Sequence, residues 1–165
     1  MGVSYGYRKP VVMKRYVPDI AKHGQLCEAN FVRLERLLGN SKADTFEFSW
    51  HDPQGNEIDV DIEVIERFKY TTTLQLTKTF STVPAPLNVV ELTVRVYSDA
   101  RMAEVVTLKQ GSQLSGVYRY PNDQMYQIDE KEQANHYLAE WLSHLLSHGA
   151  VKSVWKPGAT DSTED

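Results

Sequence analysis

Arginine beside tyrosine and carboxylate is a combination that holds anions, and this chain carries it in two stretches. The first is Arg95, Tyr97 and Asp99; the second is Arg119, Tyr120, Asn122, Asp129 and Lys131. A guanidinium offers a planar fork of donors to a carboxylate or phosphate, and a tyrosine ring offers a face to an apolar or aromatic group. On an extended strand Arg95 and Tyr97 point to one side, opposite Val94 and Val96, and Arg119 joins them if neighbouring strands align. Together these residues are the candidate ligand-binding set. A structural reading stays open beside it. In that reading Arg95 pairs with Asp99 or Glu104, and the Tyr120-Pro121-Asn122 turn only delivers the chain into the last helix.

Other polar clusters point to less. Glu57, Asp59, Asp61 and Glu63 share one face of a strand, but alternate residues stand roughly 6.5–7 Å apart, too far to close a metal shell unaided. They read as a solvated face that also blunts edge pairing if the strand lies near an edge. His144 and His148 are one helical turn apart without the adjacent Glu of the metalloprotease motif, and His148 suits the negative end of a helix. Cys27 falls on an apolar helical stripe, where a buried, inert thiol is expected. The sequence shows no nucleophile elbow, no phosphate-cradling glycine loop and no Cys-x-x-Cys pair. It therefore predicts neither a metal site nor a resident cofactor.

The elements that must position these groups follow from periodicity. Ile20, Cys27, Phe31, Leu34 and Leu38 recur at helical spacing from Asp19 to Leu38, with Gly39 as the stop. Gly24 weakens the interior and predicts a kink or a separate first turn. Asn30 lies close to the apolar stripe, so its amide needs hydrogen-bond partners; it reads as a structural bracket rather than a ligand contact. Period-two runs then predict strands at 46–50, 57–64, 70–80, 89–97, 102–109 and 114–120, joined by short connections that favour antiparallel neighbours. Ala134, Tyr137, Leu138, Trp141, Leu142, Leu145 and Leu146 make a helix with a wide apolar face, capped by Asp129 and ended by Gly149. Such a helix must be packed. The expected architecture is α+β: about six mostly antiparallel strands in one sheet, with an N-terminal and a C-terminal helix on one face.

Several stretches carry a resemblance. Lys14-Arg15-Tyr16-Val17-Pro18-Asp19, Leu26-Cys27-Glu28, Asn30-Phe31, Tyr70-Thr71-Thr72 and Val94-Arg95-Val96-Tyr97 are similar to a proteobacterial family of unknown function that includes the YqiB protein. The closing run, from Tyr120-Pro121-Asn122 through Asp129-Glu130-Lys131 and Trp141-Leu142 to His148-Gly149-Ala150, is the most specific part. The likeness covers residues 13 to 150 and implies no activity. It begins at Met13, which makes 1–12 a flexible extension; 13–156 is then the single domain, and 157–165, small and polar, is expected to be disordered.

Composition bounds the rest. The chain has 165 residues, 41% hydrophobic and 24% charged, and one cysteine. No apolar run approaches the ~20 residues of a bilayer span, and no secretory leader is evident, so a cytoplasmic protein is expected. A net charge of −4 argues against a nucleic-acid partner. The expected function is a non-catalytic binding or adaptor domain for a protein or a small anionic ligand. The alternative is a small enzyme acting on a nucleotide-like or other anionic metabolite, with Asp99, Asp129 or Glu104 as acid or base and Arg95 stabilising charge.

Overall fold

The computed structural model describes residues 20–111, 113–117 and 126–155. The expected leader 1–12 and tail 157–165 lie outside the described residues. Helix α1 spans Ile20–Leu38 and runs through Gly24 without the expected break. A Cβ at Gly24 would meet nothing within 4 Å, so packing does not require a glycine there. Gly39, at φ +60°, ends α1 by donating its N–H to the Glu35 carbonyl at 2.8 Å. That left-handed turn is costly for any residue with a Cβ.

Five long strands follow: β1 (Thr45–His51), β2 (Glu57–Arg67), β3 (Thr71–Phe80), β4 (Val89–Tyr97) and β5 (Met102–Gln110). The shorter β6 (Gln113–Val117) precedes α2 (Tyr126–His148), and β7 (Ala150–Trp155) closes the described chain. The sheet order is β6-β5-β4-β3-β2-β1-β7, and every pair is antiparallel. Strands β1 to β6 form a meander, whereas α2 carries the chain across to place β7 beside β1. The α+β class is as expected, and the sheet gains a seventh strand beyond the six that periodicity marks.

Alternation sorts the sheet into two faces. Phe46, Phe48, Trp50, Val60, Ile62, Leu74, Leu76, Leu92 and Val94 are buried on one of them, against Leu34 of α1 and Leu138, Trp141 and Leu142 of α2. Each aliphatic or aromatic side chain buried in this way contributes about 1.5–3 kcal/mol. The β1–β2 hairpin is closed by Asp52, which accepts the N–H groups of Gln54 at 3.0 Å and Asn56 at 2.8 Å. Two local expectations change. Helix α2 begins at Tyr126, so Asp129 is a first-turn residue and not the cap. Strand β2 lies between β1 and β3, so its acidic face does not guard an edge.

A buried polar bracket ties the helices to the sheet. Among the described residues, strand β6 pairs with β5 only from Thr107 to Gln110, and no strand is described beside the start of β5 on that side. Asn135 of α2 takes that place: its Oδ1 accepts the Val105 N–H at 2.9 Å, and its Nδ2 donates to the Lys131 carbonyl at 2.8 Å. Asn30 of α1 donates through Nδ2 to the Asn135 carbonyl at 3.0 Å and accepts from Arg33 at 3.0 Å. Both asparagines are fully buried. The bracket expected of Asn30 is therefore formed, and its partner is a second asparagine.

Candidate functional site

Strand alternation puts Arg95 and Tyr97 on the face opposite the core, each half-buried. In register, Arg95 stands between Thr73 of β3 and Glu104 of β5, and Tyr97 between Thr71 and Met102. Directly opposed residues on antiparallel strands bring their side chains into reach of one another. Glu104 is nevertheless ion-paired to Lys131 of α2, and Asp99 is exposed in the turn after β4. Among the described residues Arg95 makes no hydrogen bond or ion pair, so neither expected carboxylate neutralises it. Its neighbour Thr73 is 6% exposed, and the Thr73 hydroxyl has no hydrogen-bond partner. One rung further on, Thr93 donates to Gln75 Oε1 at 2.9 Å. Among the described residues, an unpaired guanidinium thus stands in register with an unpaired buried hydroxyl, and both can donate to an oxyanion.

The rest of the candidate set is dispersed. Arg119, Tyr120 and Asn122 lie outside the described residues. Asp129 is in the first turn of α2, and the structure describes nothing of its side chain. Lys131 is on the same helix but is committed to Glu104.

Glu104 also belongs to a cluster that the residue types alone did not bring together. His23 and Cys27 occupy successive turns of α1, with His23 Nε2 3.6 Å from Cys27 Sγ. One donor atom from each of His23, Cys27 and Glu104 lies within 4.8 Å of the others. Burial pushes the Cys27 thiol up to about 12, with the Glu104 carboxylate adding to the effect. Burial also lowers His23, helped by the Lys131 ammonium. A thiol held so firmly protonated is no nucleophile near neutral pH. The available signal was the i, i+4 spacing of His23 and Cys27; what was missing was the strand that completes the group.

Lys78 is a second group that sequence reasoning passed over. It continues the inward period of Leu74 and Leu76, and its ammonium lies over four rings. Phe80 is at 5.0 Å, Trp50 and Trp141 at 5.1 Å, and Tyr137 at 5.6 Å. Burial lowers the Lys78 pKa while Glu140 opposes the shift. The four ring faces attract the cation that burial disfavours, which lets a lysine occupy an inward position.

An apolar cavity of about 520 Å³ opens between the C-terminal half of α1 and the sheet, lined by Phe31, Leu34, Leu38, Phe46, Val64 and Val96. Lys42 and Arg67 stand among its lining residues. Arg67 is held by Asp44 at 3.1 Å and by the Ala43 carbonyl at 2.9 Å. Val96 reaches this cavity from one face of β4, whereas Arg95 projects from the other. Among the described residues no helix is long and apolar enough to cross a membrane.

Comparison with known proteins adds kinship without chemistry. The family described as "Protein of unknown function (DUF1249)" matches residues 33–151. The uncharacterized protein YqiB of Escherichia coli strain K12 is 37% identical over 139 residues, which cover 84% of this chain and 96% of that protein. The uncharacterized YqiB proteins of the O6:H1 and O157:H7 strains match with the same identity and coverage. No solved structure matches the chain.

Proposed function

The chain belongs to the DUF1249 family, whose name carries no activity, and we propose from the chemistry of its own residues that it is a cytoplasmic binding domain for a small carboxylate- or phosphate-bearing ligand. The observation that supports this reading is Arg95: a half-buried guanidinium in register with Glu104, yet without a carboxylate because Glu104 is held by Lys131. Charges taken partly out of water are ordinarily paired, and a ligand anion would complete both Arg95 and the unpaired Thr73 hydroxyl. Tyr97, two residues on, supplies a ring beside the head group. Arg119, Tyr120, Asn122 and Asp129 remain proposed members of the set, whereas Lys131, paired with Glu104 on the helix side, does not. Binding fits better than catalysis because Glu104 is occupied as an ion-pair partner and is not a free base.

A thermal-shift screen of the full chain with inorganic phosphate, small carboxylates and nucleoside phosphates tests this. A ligand at 100 times its Kd stabilises by ~2.7 kcal/mol, or roughly 5–11 °C for a domain of this size. Arg95→Ala should abolish the shift and leave the melting temperature without ligand nearly unchanged. Thr73→Val, which removes only the hydroxyl, should weaken binding. A shift that survives Arg95→Ala but is lost in Lys42→Ala would move the ligand to the apolar cavity and refute the reading.

A further inference from the structure

The buried bracket ties α1, which carries His23 and Cys27, to β5, which carries Glu104, by way of α2. Asn30 lies one turn beyond Cys27 on α1, and its amide is fixed to the backbone of α2 at Asn135. Asn135 is fixed in turn to the Val105 N–H, next to Glu104. The three side chains thus hang from a scaffold whose parts are hydrogen-bonded to one another, as a preorganised site requires. Their chemistry is mixed: one imidazole nitrogen, one sulfur and one carboxylate oxygen. Calcium and magnesium prefer oxygen ligands throughout, whereas thiolate with imidazole suits zinc and its neighbours.

Geometry agrees with the chemistry. With Zn–S near 2.3 Å and Zn–N near 2.0–2.1 Å at a tetrahedral angle, sulfur and nitrogen on one zinc stand about 3.6 Å apart. The Cys27 Sγ to His23 Nε2 separation is 3.6 Å. We propose that His23 Nε2, Cys27 Sγ and Glu104 form a three-ligand site for a divalent transition metal, zinc above all. His23 and Glu104 are only partly buried, which leaves a path of entry, while Cys27 forms the buried floor. On binding, the Cys27 thiol releases its proton to solvent, and the metal takes over the Glu104 carboxylate that the Lys131 ammonium holds in its absence. Three protein ligands leave the fourth tetrahedral position for water or another exogenous donor.

Titration of the metal-free full chain with cobalt(II) tests the site, followed by displacement with zinc(II). One equivalent of cobalt should give a sulfur-to-metal charge-transfer band, and zinc should abolish it and raise the melting temperature. His23→Gln, at a partly buried position, should lower affinity by at least about 10-fold without unfolding the domain. Cys27→Ala should remove the band. Lys131→Met, which frees Glu104 of its competing cation, should tighten binding, an effect that no site elsewhere on the surface would show. The absence of a charge-transfer band at saturating cobalt overturns the proposal. So does affinity unaltered by His23→Gln, or affinity lost instead in a His144→Ala, His148→Ala double variant.

Discussion

Replacing Asn135 with alanine asks whether the buried bracket, and not hydrophobic packing alone, fixes the helices on the edge of β5. The substitution strips the Val105 N–H of its acceptor at 2.9 Å in a place where Val105 is fully buried. An unsatisfied buried donor costs about 1–3 kcal/mol. The Lys131 carbonyl loses the Nδ2 donor at 2.8 Å, a further ~1 kcal/mol. Alanine returns roughly 0.5 kcal/mol through its better helix propensity. The bond from Asn30 survives, because it goes to the main-chain carbonyl of residue 135. The expected net loss is about 1.5–3.5 kcal/mol, which for a chain of this size lowers the melting temperature by roughly 3–14 °C. Urea unfolding measures the energy, and hydrogen exchange locates it. The Val105 amide should lose protection out of proportion to its neighbours in β5. A loss below about 0.5 kcal/mol, or an unchanged Val105 amide, would refute the assignment of Asn135 as the surrogate strand partner, since the N–H would then have another acceptor.

Two further outcomes follow from charge. The Lys78 pKa is lowered from 10.5 by burial; between the folded value and 10.5 the unfolded chain binds more protons, so stability rises with pH across that window. Lys78→Met should abolish this component, read as the difference between the wild-type and variant urea midpoints from neutral to alkaline pH; parallel curves would remove Lys78 as its source. The Asp52 pKa is lowered from 3.8 chiefly by the backbone N–H of Asn56, so its charge favours the fold above 3.8 and that benefit fades as pH falls through the folded value. Asp52→Asn keeps one acceptor oxygen but not the charge; the wild type should be the more stable above 3.8, with the gap closing in acid, and a gap that widens there would contradict the sign.

Much of the fold was legible because one side of each element must be dry. Val90, Leu92 and Val94 alternate with Glu91, Thr93 and Arg95, and that alternation alone sets which way Arg95 faces. The same logic exposed α2, whose apolar face is too wide for a solvent helix. Strand β7 was not legible: residues 150–155 form a strand by pairing with β1, and no local pattern announces that partner. The early start of α2 escaped because a carboxylate such as Asp129 also suits the first turn of a helix, so on its own it does not fix the boundary. Lys78 was in plain view on an inward position. Its stability there depends on rings contributed by β1 and α2, which a one-dimensional pattern does not bring together.

The candidate sites show where side-chain reasoning in one dimension stops. Arg95 was expected to find Asp99 or Glu104, and the register does set Glu104 opposite it. What decides the outcome is α2, which brings Lys131 to Glu104 at a place where both side chains are largely shielded, 15% and 20% exposed. A carboxylate that must choose between two cations favours the one it meets with less water between, because attraction strengthens as the local dielectric falls. Glu104 therefore turns toward the helices and leaves Arg95 without a charge partner among the described residues. The same turn carries the carboxylate to His23 and Cys27. A metal at those residues would displace Lys131 but keep Glu104 on the helix side, so Arg95 stays available to an anion in either state. One glutamate thus shapes both sites: by facing the helices it supplies an oxygen to the cysteine and histidine, and by not facing Arg95 it preserves a cationic position on the opposite face of the sheet.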